Sequence, residues 1–158
     1  MFKVETIGDC YVAVTGLPKP QQDHAVIMAK FARDCMFKMR QVIHELKDVL
    51  GAGTETLELR VGLHSGAVTA GILRAEKSRF QLFGDTVNTA ARMESTGMAG
   101  RIHCSRATAD RLIGAGKQSW LIVREDIVIV KGKGEMETCW IDLGRATKSV
   151  ISVQTLEI

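Results

Sequence analysis

The stretch from Asp23 to Leu50 constrains the fold most. Apolar Ile27, Phe31, Cys35, Met39, Val42, Leu46 and Val49 recur there at three- and four-residue steps, a spacing that a helix gathers on one side. Asp23 stands where an N-cap belongs, and Gly51 and Gly53 stop the helix. The Met and Phe of this stripe predict core packing, with His24 and His44 on the helix surface. Such a stripe needs a partner, and the flanking segments supply strands. Phe2–Ile7 alternates apolar and polar residues, Gly8-Asp9 is a turn signal, and Cys10–Thr15 reads as the second strand of a hairpin. Pro18 and Pro20 fall in the loop that follows. Strand signals recur at Leu57–His64, Ala67–Leu73, Phe80–Phe83, Arg101–Cys104, Trp120–Val123, Ile127–Val130 and Cys139–Leu143. A short helix capped by Ser105 runs from Ala107 to about Ile113. Hairpins interleaved with helices predict an α+β fold, with helices packed on a mixed sheet.

Composition narrows the functional classes. A chain of 158 residues, 46% hydrophobic and 25% charged, suits one globular domain with a sizeable core. Net charge is +3, no Lys/Arg run stands out and aromatics are 5%, which argues against a nucleic-acid partner. No apolar run is long enough to cross a bilayer, since Trp120–Val130 is interrupted by Arg124-Glu125-Asp126, so no membrane contact is expected from this stretch. Cys10, Cys35, Cys104 and Cys139 lack C-x-x-C spacing and read as reduced thiols, each a small buried hydrophobe.

One segment carries chemistry: Phe83-Gly84-Asp85-Thr86-Val87-Asn88-Thr89-Ala90-Ala91-Arg92-Met93-Glu94-Ser95-Thr96-Gly97. It reads as a short helix, with Gly84 breaking the chain before it, Asp85 capping its first N–H groups and Gly97 supplying a left-handed stop. Asn88 and Arg92 lie four residues apart, on one face. An amide beside a permanently charged fork suits a phosphate ester. Spacing alone favours a solvated polar face.

With three further segments the sequence resembles the catalytic domain of class III nucleotidyl cyclases, and the eukaryotic, receptor-type guanylate cyclases most. Those segments are Lys3-Val4-Glu5-Thr6-Ile7-Gly8-Asp9, Arg60-Val61-Gly62-Leu63-His64-Ser65-Gly66 and Val130-Lys131-Gly132-Lys133-Gly134-Glu135-Met136. The resemblance covers residues 1–144 as a cyclase catalytic domain and leaves residues 145–158 as a tail. It implies a ferredoxin-like α/β sandwich working as a homodimer or heterodimer with another cyclase domain. It also implies attack of the ribose 3′-oxygen on the α-phosphorus of a nucleoside triphosphate, with two Mg²⁺ or Mn²⁺ ions held by two aspartates.

Residue by residue, the resemblance makes Asp9 a metal-binding aspartate, Arg92 the arginine that stabilises the transferring phosphoryl group and Asn88 the asparagine that orients the ribose. Lys131 matches the lysine on the terminal phosphates; Lys133 reads as a surface neighbour and Asp85 as a helix cap only. Glu5 matches the guanine-selecting glutamate, since a carboxylate accepts from guanine N1–H and N2–H₂ and repels the adenine N1 lone pair. Gln81 departs from the family's cysteine for guanine and aspartate for adenine, and its amide suits either base. The expectation is GTP over ATP, with an adenylate or dual-specificity cyclase and a non-catalytic cyclase-like subunit as alternatives. In the implied dimer Asp9 serves one site, while Glu5, Gln81, Asn88, Arg92 and Lys131 serve the other.

The family's other metal aspartate belongs to an F-D-x-x-G-F-T type segment that is not in this sequence. The expectation is therefore a partial domain, without its first strand and following helices and weakly active alone. The resemblance further implies a cytoplasmic catalytic domain whose parent is membrane-anchored.

Overall fold

A computed structural model describes residues 1–73, 79–130, 132–142 and 144. Strand β1 (Phe2–Ile7) and strand β2 (Cys10–Val14) form the expected hairpin, closed at Ile7↔Cys10 by Gly8 and Asp9. Gly8 has φ 59°, the left-handed value that a tight two-residue turn demands of its first residue. The register shifts between Lys3 and Glu5. Helix α1 (His24–Leu50) follows, with Gly51 in the left-handed region at its end.

The central sheet has four strands in the order β3 (Val61–Leu63), β6 (Ile102–Ser105), β10 (Thr138–Ile141) and β7 (Leu121–Val123). β3 runs parallel to β6, whereas β10 is antiparallel to both of its neighbours. Two further hairpins are β4 (Thr69–Leu73) with β5 (Arg79–Phe83), and β8 (Val128–Val130) with β9 (Gly134–Met136). Helix α2 (Asp85–Ser95) leaves β5 through Gly84, and α3 (Arg106–Gly114) leaves β6. Ser105 caps α3, its hydroxyl accepting from the Thr108 N–H at 3.4 Å.

All four residues of β6 are buried. Ile102 and Cys104 join Leu63, Cys139 and Ile141 under Ala25, Ala29 and Ala32 of α1 and Ala109 and Leu112 of α3. His103, on the alternate face, meets α2 instead. The sheet is thus covered on both sides, an α+β arrangement as expected.

Several expectations need correction. The predicted strand Leu57–His64 shortens to Val61–Leu63, and β9 had no signal of its own. In α1 the fully buried face is Ala25, Val26, Ala29 and Ala32, so small side chains bring the helix close to the sheet. The bulky stripe lies to one side: Ile27, Phe31, Cys35, Met39 and Val42 are half-buried, Leu46 is exposed and Val49 is 77% exposed. Asp23 makes no side-chain cap bond. Of the cysteines only Cys104 and Cys139 are buried, while Cys10 is exposed. Burial pushes the Cys104 thiol up to about 12, so it is inert at neutral pH.

Candidate active site

Helix α2 is fastened at both ends. Gly84, at φ 127°, occupies the N-cap position without a side-chain cap. Thr86 Oγ1 donates to the Ala67 carbonyl oxygen at 2.6 Å, and Thr89 Oγ1 to the Asp85 carbonyl oxygen at 2.9 Å. Asp85 does not cap the helix. Its carboxylate pairs with Lys133, which is therefore an ion-pair partner and not merely a surface neighbour. The Lys133 hydrogen bond holds the Asp85 carboxyl below the usual carboxylate range.

At its other end α2 lies directly on β3. A Cβ added to Gly62 would stand 2.0 Å from the Glu94 backbone nitrogen, so only glycine fits. Arg60 Nε bonds Glu94 Oε1 at 2.6 Å. His103 Nδ1 lies 2.8 Å from the Met93 carbonyl oxygen, and Arg124 Nη1 donates to that of Thr96 at 2.7 Å. Gly97 is not left-handed; Thr96 ends the helix at φ −96° and the Gly97 N–H bonds the Glu94 carbonyl oxygen. Sequence reasoning passed over His103 and Arg124, although a histidine between Ile102 and Cys104 in a short apolar strand was a usable signal.

Beside the buried Thr89 and Met93, α2 presents Asn88 and Arg92, both exposed, neither side chain hydrogen-bonded to a described residue. Gln81, half-buried, sits mid-β5 opposite Gly71, one short turn before α2. Glu5 is half-buried on β1, and β1 leans on β5 through an edge-to-face contact of Phe2 and Phe80 at 5.0 Å. Asp9 is exposed at the hairpin turn. Lys131 lies outside the described residues. The fold therefore gathers Gln81, Asn88 and Arg92 on consecutive elements with Glu5 on a neighbouring strand; no hydrogen bond joins any two of these side chains among the described residues. A cavity of about 310 Å³ lies elsewhere, between Thr15, His24, Met28, Leu63, His64 and Thr108, and contains none of them. No group of three or more His, Cys, Asp or Glu side chains among the described residues could hold a metal ion.

A family model, the adenylate and guanylate cyclase catalytic domain, matches residues 1–143. This chain belongs to that family. Guanylate cyclase 32E of Drosophila melanogaster is 43% identical over 142 residues, which are 89% of this chain and 12% of that protein. The cyclase domain here is thus a small part of the length of the curated relatives it matches. Among solved structures, the guanylate cyclase domain of RhGC from Catenaria anguillulae, in complex with GTP, superposes with a TM-score of 0.69 at 43% identity, covering 89% of this chain and 71% of that one. The non-canonical dimeric guanylyl cyclase domain of the RhoGC fusion protein from Blastocladiella emersonii has a TM-score of 0.66 at 40% identity, covering 92% and 72%. No described helix is long and apolar enough to cross a membrane.

Proposed function

We propose that this cyclase domain contributes to the conversion of GTP to 3′,5′-cyclic GMP and pyrophosphate at an interface between two protomers. The observation that carries this reading is the exposed Asn88–Arg92 face on a helix braced from behind. In the reaction the ribose 3′-oxygen bonds to the α-phosphorus as the bond from phosphorus to pyrophosphate breaks, and the hydroxyl proton leaves with the products. Negative charge spreads onto the leaving group, and the Arg92 guanidinium meets it with a planar fork of donors. Asn88, one turn away, fixes the ribose. Glu5 accepts from the guanine edge, Gln81 on β5 contacts the same base, and Lys131 contacts the terminal phosphates. Asp9 serves the neighbouring site. A single exposed carboxylate does not make a site for two dications, so the described residues do not fit the implied Mg²⁺ or Mn²⁺ pair by themselves and Asp9 is one donor toward it.

Cyclic GMP and cyclic AMP formation is to be measured with Mg²⁺ or Mn²⁺, for this chain and for a form extended upstream. The expected product is cyclic GMP, with Arg92→Ala abolishing it while a GTP analogue still binds. Equal turnover by Arg92→Ala would sink the reading. Combining Glu5→Lys with Gln81→Asp is expected to move preference towards ATP, and an unchanged preference would remove these two positions from base recognition.

A further inference from the structure

The last carbonyls of a helix have no partner within it, and two at the end of α2 are met by side chains from outside the helix. The Gly97 N–H bonds the Glu94 carbonyl oxygen and the Thr96 N–H that of Arg92, while the carbonyls of Met93 and of the C-cap residue Thr96 accept no backbone N–H of a described residue. Both are met from the sheet. His103, wholly buried, approaches Met93 O through Nδ1, and Arg124 donates to Thr96 O. A carbonyl only accepts, so the ring carries its proton on Nδ1, and Nε2 accepts from the Thr138 hydroxyl 2.8 Å away. Trp140 backs the imidazole at 4.7 Å, and the Arg124 guanidinium lies over the same indole at 4.9 Å. Asp126 holds Arg124 through a two-pronged pair at 2.8 and 2.7 Å.

We infer that His103 is a positioning residue of the cyclase reaction: it caps α2 from inside the sheet and thereby fixes Arg92, the neighbour of Met93, against the transferring phosphoryl group. Arg124 secures the next turn. This inference rests on the role proposed above for Arg92. Among the described residues the hydrogen bonds of this anchor reach the helix and none reaches β1 or β5, where Glu5 and Gln81 lie. Its loss therefore lowers turnover more than substrate binding, since displacement by about an ångström at a transition-state contact is enough to cost on the order of a hundredfold.

The test compares His103→Leu, which removes the donor, with His103→Asn, whose amide nitrogen reaches the place of Nδ1. The expected result for His103→Leu is kcat down about tenfold or more with KM within about threefold, faster amide exchange confined to residues 93–97, and recovery of most of kcat in His103→Asn. A folded His103→Leu with unchanged kcat, or an equal fall for both variants, overturns the inference. Should His103→Leu fail to fold, nitrogen chemical shifts of the unsubstituted protein still decide, because a His103 ring protonated on Nε2 alone is incompatible with this cap. The shift and exchange measurements need no turnover, so they judge the anchor separately from the role proposed for Arg92, which fails on its own if Arg92→Ala turns over as fast as the unsubstituted protein.

Discussion

Helix α2 meets the chain behind its exposed face at Gly62, Arg60, His103 and Arg124, three of them side-chain bonds and one a backbone-to-backbone approach. Among the described residues the β1–β2 hairpin, which carries Glu5 and Asp9, has no such set. Its strands bond to each other, Phe2 rests on Phe80, and Tyr11 tilts over Phe31 at 6.4 Å, while Ile7 remains 61% exposed. The two parts of the proposed site are thus prepared differently. The helix backbone that carries the groups assigned to the transition state is anchored by its own chain, and a fixed backbone lowers the cost of placing a charged donor there. Glu5 and Asp9, assigned to base and metal, sit on a hairpin held by its own strand pairing and a few ring contacts.

The largest expected difference between the regions is in stability. Gly62→Ala forces α2 off β3 and is expected to cost about 2–3 kcal/mol in urea denaturation. Gly8→Ala in the hairpin meets nothing within 4 Å and suffers only its φ of 59°, about 1 kcal/mol. Equal losses would break the contrast. Next comes function without stability. Arg92→Lys is expected to lower kcat by about a hundredfold, because an ammonium cannot reproduce the fork, with the denaturation midpoint unmoved.

Acid sharpens the same contrast more gently. Burial lowers the pKa of His103, and burial followed by Lys133 lowers that of His64, whose Nδ1 lies 2.7 Å from Ser105 Oγ. Unfolded histidine binds its proton near pH 6.5, whereas these two in the native state bind it only at lower pH. Stability is therefore complete above about pH 6.5 and falls as the pH drops below it; replacing both by glutamine is expected to flatten that fall in thermal melts between pH 7 and 5. The smallest effect belongs to the exposed Asp85–Lys133 pair: Asp85→Asn is expected to leave the denaturation midpoint where it was.

Much of this was legible in the sequence for a physical reason. Strand alternation, the Gly8-Asp9 turn and the Ser105 cap are local signals, and all three stand in the fold. The Asn88–Arg92 face followed from helical spacing. Tertiary choices were not legible. Apolar bulk pointed to Phe31 and Val49, but close approach of α1 to the sheet selected the alanines. The cap assigned to Asp85 lost to an ion pair with a residue far along the chain, and Gly97 found its hydrogen bond without turning left-handed. Gly62 stood in a quoted motif, yet its reason is visible only with Glu94 against it.

Strand β6 has a consequence for how the domain assembles. It pairs with β3 across about forty residues of intervening chain, and α2 and α3 attach directly before and after it. A parallel pairing so distant cannot form until a long loop has closed, so collapse of α1 or closure of the hairpins does not complete the sheet. Folding of the central sheet should be slow relative to its local elements. Substitutions of Ile102 or Cys104 would then report on the rate at which the domain folds.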